Sequence, residues 1–523
     1  MKFVNVLFVV LLYCTHLSAQ VTLPNNLYFT HIGVEDGLCQ NTVCCILQDH
    51  LGFIWLGTKD GLTRYDGYRF RVFKHDAADP MSIGNNFIRV LYEDADGLIW
   101  IGTNVGVYIY NPETENFRKF DVATERGDVI SREVSSIKCD SSGDLWIGVN
   151  WQGVFRYDRR DESLELYEPV PGDTTSLSSV HVWDLCFDGD GNLWVGSQNG
   201  GLDRYDRETD RFVRHRLKGL SDVRRIVLDK QNQLLLGTMK DGLFSFNPYM
   251  GTCQPLLLDS GHKDLFVRAI FVRNSREVVV GTENGIYIYD CVTRKTRHVN
   301  QELGNPYSLS CKAVYSIYCD KEGALWIGTY FGGVNYLPPS SSLIFDKFYP
   351  IGHSDRLSGK AVREFVRDES GIIWIGTEDQ GLNRFDPVSG KFTHYNSRNS
   401  GLSCDNVHGL CVDGDRLYIG TFFGGFNIMD LKTNEIVALG SQMLPDDSVF
   451  SIFRDHDGRI WVGLTYGLCL FHPEDGSFEL VREIPENLFI YDIYQGDDGI
   501  IYFAAYNRGV ITYNPHTGKW GQV

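Results

Sequence analysis

The sequence predicts an all-β protein made of tandem β-propellers: a complete seven-bladed ring followed by four blades of a second, incomplete ring. Three observations lead to this prediction. A motif of the type Trp-Ile-Gly returns eleven times at intervals of 41 to 48 residues, and every copy but one carries four short apolar segments separated by turn residues. No copy contains an apolar pattern of helical period. A unit of about 45 residues with four short strands is typical of a propeller blade.

The composition agrees with this fold and excludes some functions. The chain has 523 residues, too many for one ordinary domain, and 43% hydrophobic residues, enough for a buried core. Its 54 glycines and 13% aromatic residues favour short strands joined by tight turns. The formal net charge of -18 repels phosphate backbones, so nucleic acid is a poor candidate partner.

The first nineteen residues read as an export signal. Lys2 precedes an apolar run, Val6–Cys14, and the segment closes on Ser18-Ala19. The run is too short to span a bilayer, and no later apolar stretch reaches about 18 residues. We therefore predict a signal peptide at 1–19 and an exported product without a membrane span.

The repeated motif defines the blades. Seven of the ten tryptophans occupy one position of the repeat, which we call the anchor: Trp55, Trp100, Trp146, Trp194, Trp326, Trp374 and Trp461. Four degenerate copies have Leu235, Val279, Tyr418 and Tyr502 at the anchor. Six residues upstream there is usually an aspartate, followed three later by glycine, the pair that caps and ends a tight turn. The anchors should pack between neighbouring blades.

An orphan segment indicates how the first ring closes. Phe29–Ile32 matches the fourth-strand segment Phe392–Tyr395 but has no first three strands of its own. It should complete the unit anchored at Trp326, because that unit runs into a break at Pro338–Ser342 after its third strand. Seven anchors precede the break, so we predict a seven-bladed propeller over 20–341. Four anchors follow the break, and another apparent closing strand, Leu343–Phe348, precedes them. We therefore predict a partial propeller over 342–523.

Cysteine usage predicts no cofactor. Twelve of the thirteen cysteines follow the signal, most of them in apolar strand-like segments, and no CxxC pair occurs. We expect free cysteines that act as small core hydrophobes. No metal site, cofactor or catalytic residue is predicted, since no GxSxG, HExxH or phosphate-binding loop is present.

The loop after the anchor is the candidate ligand site, because propellers bind ligands where loops meet the central channel. It varies most between copies, and three of its longer copies carry aromatic residues: Trp151, Tyr330, Phe331, Phe422 and Phe423. Aromatic faces can stack on sugar rings, while packing between blades remains an equal alternative. Three charged residues, Arg363, Glu378 and Asp379, occupy positions of the repeat close to those of Phe422 and Phe423 and are further candidates. A pocket between the two rings could recruit both sets.

The repeat resembles a known family. The segment Asp368–Asp386, which contains Trp374-Ile375-Gly376-Thr377, and the opening Glu35-Asp36-Gly37-Leu38 that runs into Asp49–Asp66 both resemble the two-component regulator propeller repeat. The family comprises periplasmic sensors of hybrid two-component systems. The resemblance implies two seven-bladed propellers, an oligosaccharide ligand and a dimeric receptor in the periplasm. It also implies a kinase and further modules that this sequence does not contain, so we expect a truncated sensor region without kinase activity.

Two other classes stay open on the sequence. Some sugar hydrolases and lyases also use propellers, so the chain could be a secreted glycan-cleaving enzyme. It could also be a secreted scaffold that binds proteins. Incubation with oligosaccharides separates the three, since a sensor binds without forming product, an enzyme forms product and a scaffold does neither.

Overall fold

The computed structural model describes residues 22–217, 220, 222–257, 265–339, 347–349, 356–439, 444–484 and 488–523. The predicted signal peptide and most of the predicted closing strand Leu343–Phe348 lie outside these residues. Within them the chain is all-β apart from one 3₁₀ turn at Val34–Asp36, which confirms the predicted fold class. No helix in this part of the chain has the length and apolar character needed to cross a membrane.

The strands fall into two compact units. Unit 1 contains β1 (Thr30–Ile32), β2 (Val43–Gln48), β3 (Ile54–Thr58), β4 (Gly61–Tyr65), β5 (Phe70–Phe73), β6 (Ile88–Glu93), β7 (Ile99–Thr103), β8 (Gly106–Asn111), β9 (Asn116–Lys119), β10 (Val134–Cys139), β11 (Leu145–Val149), β12 (Gly153–Asp158), β13 (Ser163–Tyr167), β14 (Val182–Phe187), β15 (Leu193–Ser197), β16 (Gly201–Asp206), β17 (Arg211–His215), β18 (Val223–Leu228), β19 (Leu234–Thr238), β20 (Leu243–Asn247), β21 (Thr252–Leu257), β22 (Val267–Val272), β23 (Glu277–Thr282), β24 (Gly285–Asp290), β25 (Thr296–Val299), β26 (Val314–Cys319), β27 (Leu325–Thr329) and β28 (Val334–Leu337). Unit 2 contains β29 (Val362–Arg367), β30 (Ile373–Thr377), β31 (Leu382–Asp386), β32 (Lys391–Tyr395), β33 (Val407–Asp413), β34 (Arg416–Thr421), β35 (Gly425–Asp430), β36 (Ile436–Leu439), β37 (Val449–Arg454), β38 (Ile460–Leu464), β39 (Gly467–His472), β40 (Ser477–Leu480), β41 (Ile490–Gln495), β42 (Ile501–Ala505), β43 (Gly509–Asn514) and β44 (Lys519–Gln522).

These strands form eleven four-stranded antiparallel sheets in the described part of the chain. Six sheets of unit 1 and all four sheets of unit 2 use four consecutive strands, and we number the sheets 1 to 11 in the order of their first strands. Sheet 7 differs, because β26, β27 and β28 are joined by β1 from the start of the chain. In that pairing Thr30 lies opposite Tyr336 and Ile32 opposite Val334, as the orphan segment predicted.

Unit 1 closes on itself. The first strands of sheets 1 to 7 lie side by side in order, and β26 of sheet 7 also lies beside β2 of sheet 1. Hydrogen bonds cross this closing seam: the Gly333 N–H donates to the Asn41 carbonyl at 2.9 Å, and the Lys321 N–H donates to the Gln48 side chain at 2.8 Å. The sheets therefore form a ring around a central channel lined by first strands.

The aspartate and tryptophan of the repeat act as one unit. In sheet 1 the Asp49 carboxylate accepts the Phe53 N–H at 2.9 Å, which caps the turn, and its other oxygen accepts the Trp55 indole N–H at 2.8 Å. The same indole–carboxylate bond, 2.8 to 3.1 Å long, occurs at all seven anchor tryptophans. The aspartate six residues before each anchor tryptophan thus connects the turn to the indole ring that is buried between sheets.

The glycine two residues after the anchor is required by contact with the next sheet. A Cβ on Gly57 would lie 2.7 Å from a methyl of Ile88, which opens the first strand of sheet 2. At the closing seam a Cβ on Gly328 would lie 2.8 Å from the Val43 carbonyl oxygen. Ten sheets have glycine at this position, and each meets the opening residue of a neighbouring first strand. Sheet 11 has Ala504 there, and Ala504 is exposed.

Unit 2 shows an exposed apolar face on its first sheet. Val362 opens β29 and is 45% exposed, whereas its counterparts in the other ten sheets are fully buried. Phe365, three residues further, is 68% exposed, although Leu410 and Ile452 at the same position are buried. This pattern is expected of a sheet whose inter-sheet face lacks a neighbour. The division into domains at 341–342 and the number of blades in a complete second ring stay predictions.

Candidate functional site

A β-bulge at the second residue of every first strand determines which side chains face the channel. The pairing with the second strand skips that residue in all eleven sheets. A bulge leaves one residue unpaired and redirects its side chain. The bulged residues are Cys44, Arg89, Ser135, Trp183, Arg224, Arg268 and Tyr315 in unit 1, and Arg363, His408, Phe450 and Tyr491 in unit 2.

The loop after the anchor is fixed against the bulge. The backbone N–H of Tyr330, four residues after its anchor, donates to the Ala313 carbonyl just before β26 at 3.0 Å. Glu378 and Phe422 make the corresponding bonds to Ala361 and Asn406 in unit 2. In nine of the eleven sheets this bond brings three side chains together: one before the first strand, the bulged residue, and the residue four after the anchor.

In unit 1 these positions surround one cavity of about 250 Å³, which we call the mouth. All seven bulged residues line it. The other lining residues are Lys59, Phe87, Glu133, Val134, Arg225, Phe266, Val267 and Tyr330. The mouth combines aromatic faces with cationic side chains at the end of the channel, where propellers bind small ligands.

The mouth is rich in cations. Arg89 pairs with Glu133 at 3.2 Å, and Arg268 pairs with Glu283. The Arg224 guanidinium lies 3.6 Å from the centroid of the Trp183 ring, a cation–π contact. Burial, reinforced by the neighbouring arginines, lowers the pKa of Arg224 to about 10. The group remains charged at neutral pH and is held among like charges.

Tyrosine and lysine complete one wall of the mouth. The Lys59 ammonium donates to the Tyr330 hydroxyl at 2.7 Å and lies 4.1 Å from the centre of its ring. The Tyr315 and Tyr330 rings are 5.0 Å apart. On the opposite wall, the Trp183 indole N–H is buried and has no hydrogen-bond partner among the described residues. A buried donor of this kind is available to a ligand acceptor.

Three predicted aromatic residues share the position five residues after the anchor: Trp151 and Phe331 in unit 1, which do not line the mouth, and Phe423 in unit 2. Trp151, Phe331 and Phe423 are 66%, 71% and 69% exposed. Trp151 and Phe423 adopt left-handed backbone conformations, with φ of 70° and 66°. A bulky residue pays a steric cost for that conformation, and such strain concentrates at functional sites. Trp151 also packs edge-on against His181 of the next sheet, with ring centroids 4.0 Å apart, so its ring combines exposure with a contact between blades.

In unit 2 several side chains that were predicted as ligand-site candidates lie beside the bulged residues. Arg363 pairs with Glu378 at 3.3 Å and donates to the Tyr491 hydroxyl at 3.1 Å. It also lies 3.3 Å from His408 Nδ1, and burial together with this cation lowers the pKa of His408 to about 4. His408 is therefore neutral at neutral pH and accepts the guanidinium N–H. Phe422 packs on Phe423, with ring centroids 3.9 Å apart.

The remaining predicted residues are placed as follows. Tyr330 lines the mouth, and Asp379 is exposed, with its carboxylate beside Gly359. The twelve described cysteines are free, and no group of histidine, cysteine, aspartate and glutamate among the described residues is arranged to hold a metal ion. Sequence reasoning named the bulged Arg363 of unit 2 but missed the bulged arginines of unit 1, Arg89, Arg224 and Arg268. The sequence signal for these residues is a variable position that directly follows the constant Val or Ile at the start of each first strand.

Five segments of the chain match the two-component regulator propeller family: residues 37–60, 82–105, 176–199, 308–331 and 443–466. The chain contains two-component regulator propeller repeats. Each match covers a first strand and the following strand with its anchor. Four of the matches lie in unit 1 and contain the bulged residues Cys44, Arg89, Trp183 and Tyr315 of the mouth. A curated relative, histidine kinase P4 of Formosa agariphila, is 39% identical over 59 residues, which are 11% of this chain and 4% of that protein.

Solved structures share the architecture of these regulator propeller repeats. The extracellular domain of one hybrid two-component system of B. thetaiotaomicron is 23% identical, with a TM-score of 0.62, and the match covers 95% of this chain and 78% of that chain. A second such domain from B. thetaiotaomicron is 20% identical, with a TM-score of 0.52 and coverage of 95% and 73%. At these identities the likeness establishes the propeller fold.

Proposed function

We propose that this chain is the ligand-sensing region of a two-component signalling receptor and that it binds an oligosaccharide from glycan breakdown. The observation that carries the proposal is the set of exposed aromatic rings at one position of the regulator propeller repeat. Trp151 and Phe423 are held there by a left-handed backbone rather than by burial. Rigid aromatic faces beside polar side chains suit the alternating apolar and hydroxylated surfaces of a sugar ring.

The proposal includes location and assembly. The export signal predicted at 1–19 and the extracellular domains among the structural relatives support a periplasmic chain. Binding by itself would not transmit a signal, so we place this chain in a dimeric receptor whose kinase is supplied outside residues 1–523. In this role the chain binds its ligand and releases it unchanged.

The test removes the aromatic faces without disturbing the loop backbone. Asparagine tolerates the left-handed conformation, so Trp151→Asn and Phe423→Asn should fold. For saccharides that bind the wild-type chain in calorimetric titration, we expect each substitution to lower affinity roughly tenfold where its loop contacts the ligand. Tyr68→Asn is the matched control, because Tyr68 is an exposed aromatic residue in the turn between β4 and β5.

Three outcomes contradict parts of the proposal. If both substitutions leave the affinity unchanged, the aromatic loops are not the site. If no saccharide from a panel of depolymerised plant and host glycans binds, the sensing role for saccharides is wrong. If mass spectrometry shows cleaved saccharide after incubation, the chain is an enzyme.

A further inference from the structure

The mouth of unit 1 concentrates positive charge in an acidic protein. Five cationic side chains line it, Lys59, Arg89, Arg224, Arg225 and Arg268, although the chain carries a formal net charge of -18. Three of the seven bulged positions are arginines. Bulges direct these side chains to one cavity, so their like charges are brought together by the fold itself.

Acidic groups pair with only two of these five cations. Glu133 pairs with Arg89, and Glu283 pairs with Arg268. The Arg225 guanidinium donates to the Arg268 backbone carbonyl at 2.7 Å, and Lys59 donates to the Tyr330 hydroxyl. In the described part of the chain Arg224 has neither an ion pair nor a hydrogen bond from its guanidinium. Three positive charges therefore remain without a carboxylate.

Arg224 is nevertheless held in place. Its guanidinium stacks on Trp183 at 3.6 Å and lies 5.2 Å from the Phe266 ring. Stacking fixes the plane of the group and leaves the N–H donors at its edge for a planar acceptor. The Arg268 guanidinium is fixed in the same way, 3.8 Å from Phe266. Two oriented arginines and an unpartnered Trp183 indole N–H thus surround the same cavity.

Such an arrangement costs stability, and a bound anion would offset that cost. Buried like charges repel, and proteins retain such groups where binding requires them. Arginine binds carboxylate and sulfate-type oxyanions through paired N–H donors. The cavity of about 250 Å³ is smaller than pockets for drug-sized molecules, and so suits one end residue of a longer ligand. The walls contributed by Phe87, Phe266 and Tyr315 can contact the ring that carries the anion.

We propose that the mouth of unit 1 binds the anionic end residue of the saccharide, through a uronate carboxylate or a sulfate ester placed between Arg224 and Arg268. This inference rests on the proposed saccharide-sensing function and makes it narrower. It predicts that acidic glycans bind in preference to neutral ones, and that the bulged residues Arg224 and Arg268 determine this preference.

The experiment compares matched probes on the full mature chain. Trigalacturonate and a sulfated trisaccharide are the anionic probes, maltotriose is the neutral probe, and citrate and inorganic sulfate are anions without a sugar. We expect at least one of the anionic trisaccharides to bind, with no measurable maltotriose binding. Arg224→Gln and Arg268→Gln should each lower that affinity at least roughly tenfold, the loss expected for a charge-assisted hydrogen bond.

Control variants distinguish the loss of a positive charge elsewhere from the loss of this site, and a loss of folding from a loss of binding. Arg118→Gln removes the same charge from the exposed outer strand β9 and should leave the affinity unchanged. Arg224→Lys keeps the charge without the paired donors and should recover only part of the affinity. Because Arg224→Gln relieves repulsion, its thermal midpoint in low salt should equal or exceed that of the wild type, which shows that lost affinity is not lost folding.

Each remaining outcome decides between the two claims. Maltotriose binding that survives both arginine substitutions overturns the anionic site and leaves the saccharide-sensing function intact. Citrate or sulfate binding that depends on Arg224, without binding of any trisaccharide, supports the anionic site and contradicts the saccharide function. Absence of binding by every probe overturns the inference, and binding of trigalacturonate unaffected by both substitutions does so as well.

Discussion

A chain that begins at Gly33, and therefore lacks β1, is expected to lose the cooperative folding of unit 1 while unit 2 stays folded. β1 is the fourth strand of sheet 7, and without it β28 presents an unpaired edge at the seam of the ring. The segment before β1 adds further contacts between sheets 6 and 7. The Leu23 N–H donates to the Glu277 carboxylate at 2.9 Å, and Phe29 is fully buried among sheets 6 and 7.

A point substitution tests the same contact in a chain that still folds. Phe29→Ala should lower the free energy of unfolding of unit 1 by about 3–5 kcal/mol, because it leaves a cavity between sheets 6 and 7. Hydrogen exchange with mass spectrometry measures the opening free energy of each unit separately. The matched truncation removes β44, an outer strand that does not close a ring, and should reduce protection only in unit 2. Unchanged protection of sheets 1 to 6 in the chain without β1 would show that the ring does not depend on its N-terminal strand.

The second large effect is expected for Gly328→Val. A Cβ at this position lies 2.8 Å from the Val43 carbonyl oxygen, a backbone atom that cannot move without shifting β2. The substitution should therefore push sheet 7 away from sheet 1 and destabilise unit 1 by about 3 kcal/mol. Chemical denaturation followed by site-resolved hydrogen exchange gives the measurement.

Ala504→Val is the control for that result, because Ala504 occupies the same position of the repeat in sheet 11 but is exposed. Its effect should stay within about 0.5 kcal/mol, as for most surface substitutions. Equal effects of Gly328→Val and Ala504→Val would mean that the glycine serves the strand itself and not the contact between sheets.

The ring could be predicted from the sequence because its information is local and repeated. Anchor spacing identified the sheets, and the orphan Phe29–Ile32 identified its partner by resembling other fourth strands. The turn function of Asp49 was also predictable from its distance to the following glycine. The indole–carboxylate bond between Trp55 and Asp49 was not, because a spacing of six residues brings these groups together only after the hairpin has formed.

The site was harder to predict for a physical reason. Side chains alternate along a regular strand, so a pattern of period two does not reveal a residue redirected by a bulge. Trp183 and Arg224 therefore look like ordinary strand residues in the sequence. The loop aromatic residues were found because they vary beside a constant anchor, and their exposure then distinguished Trp151 from the half-buried Tyr330. Whether they bind sugar is decided by experiment and stays a proposal.

Ligand binding by the bulged residues of unit 1 is the central claim. A crystal structure of the mature chain soaked with the tightest-binding anionic trisaccharide tests it most directly. We predict that the carboxylate or sulfate of the end residue lies within hydrogen-bond distance of Arg224 and Arg268, with its ring against Phe266 or Tyr315. A trisaccharide bound in full occupancy at a place that touches none of the seven bulged residues would contradict the claim.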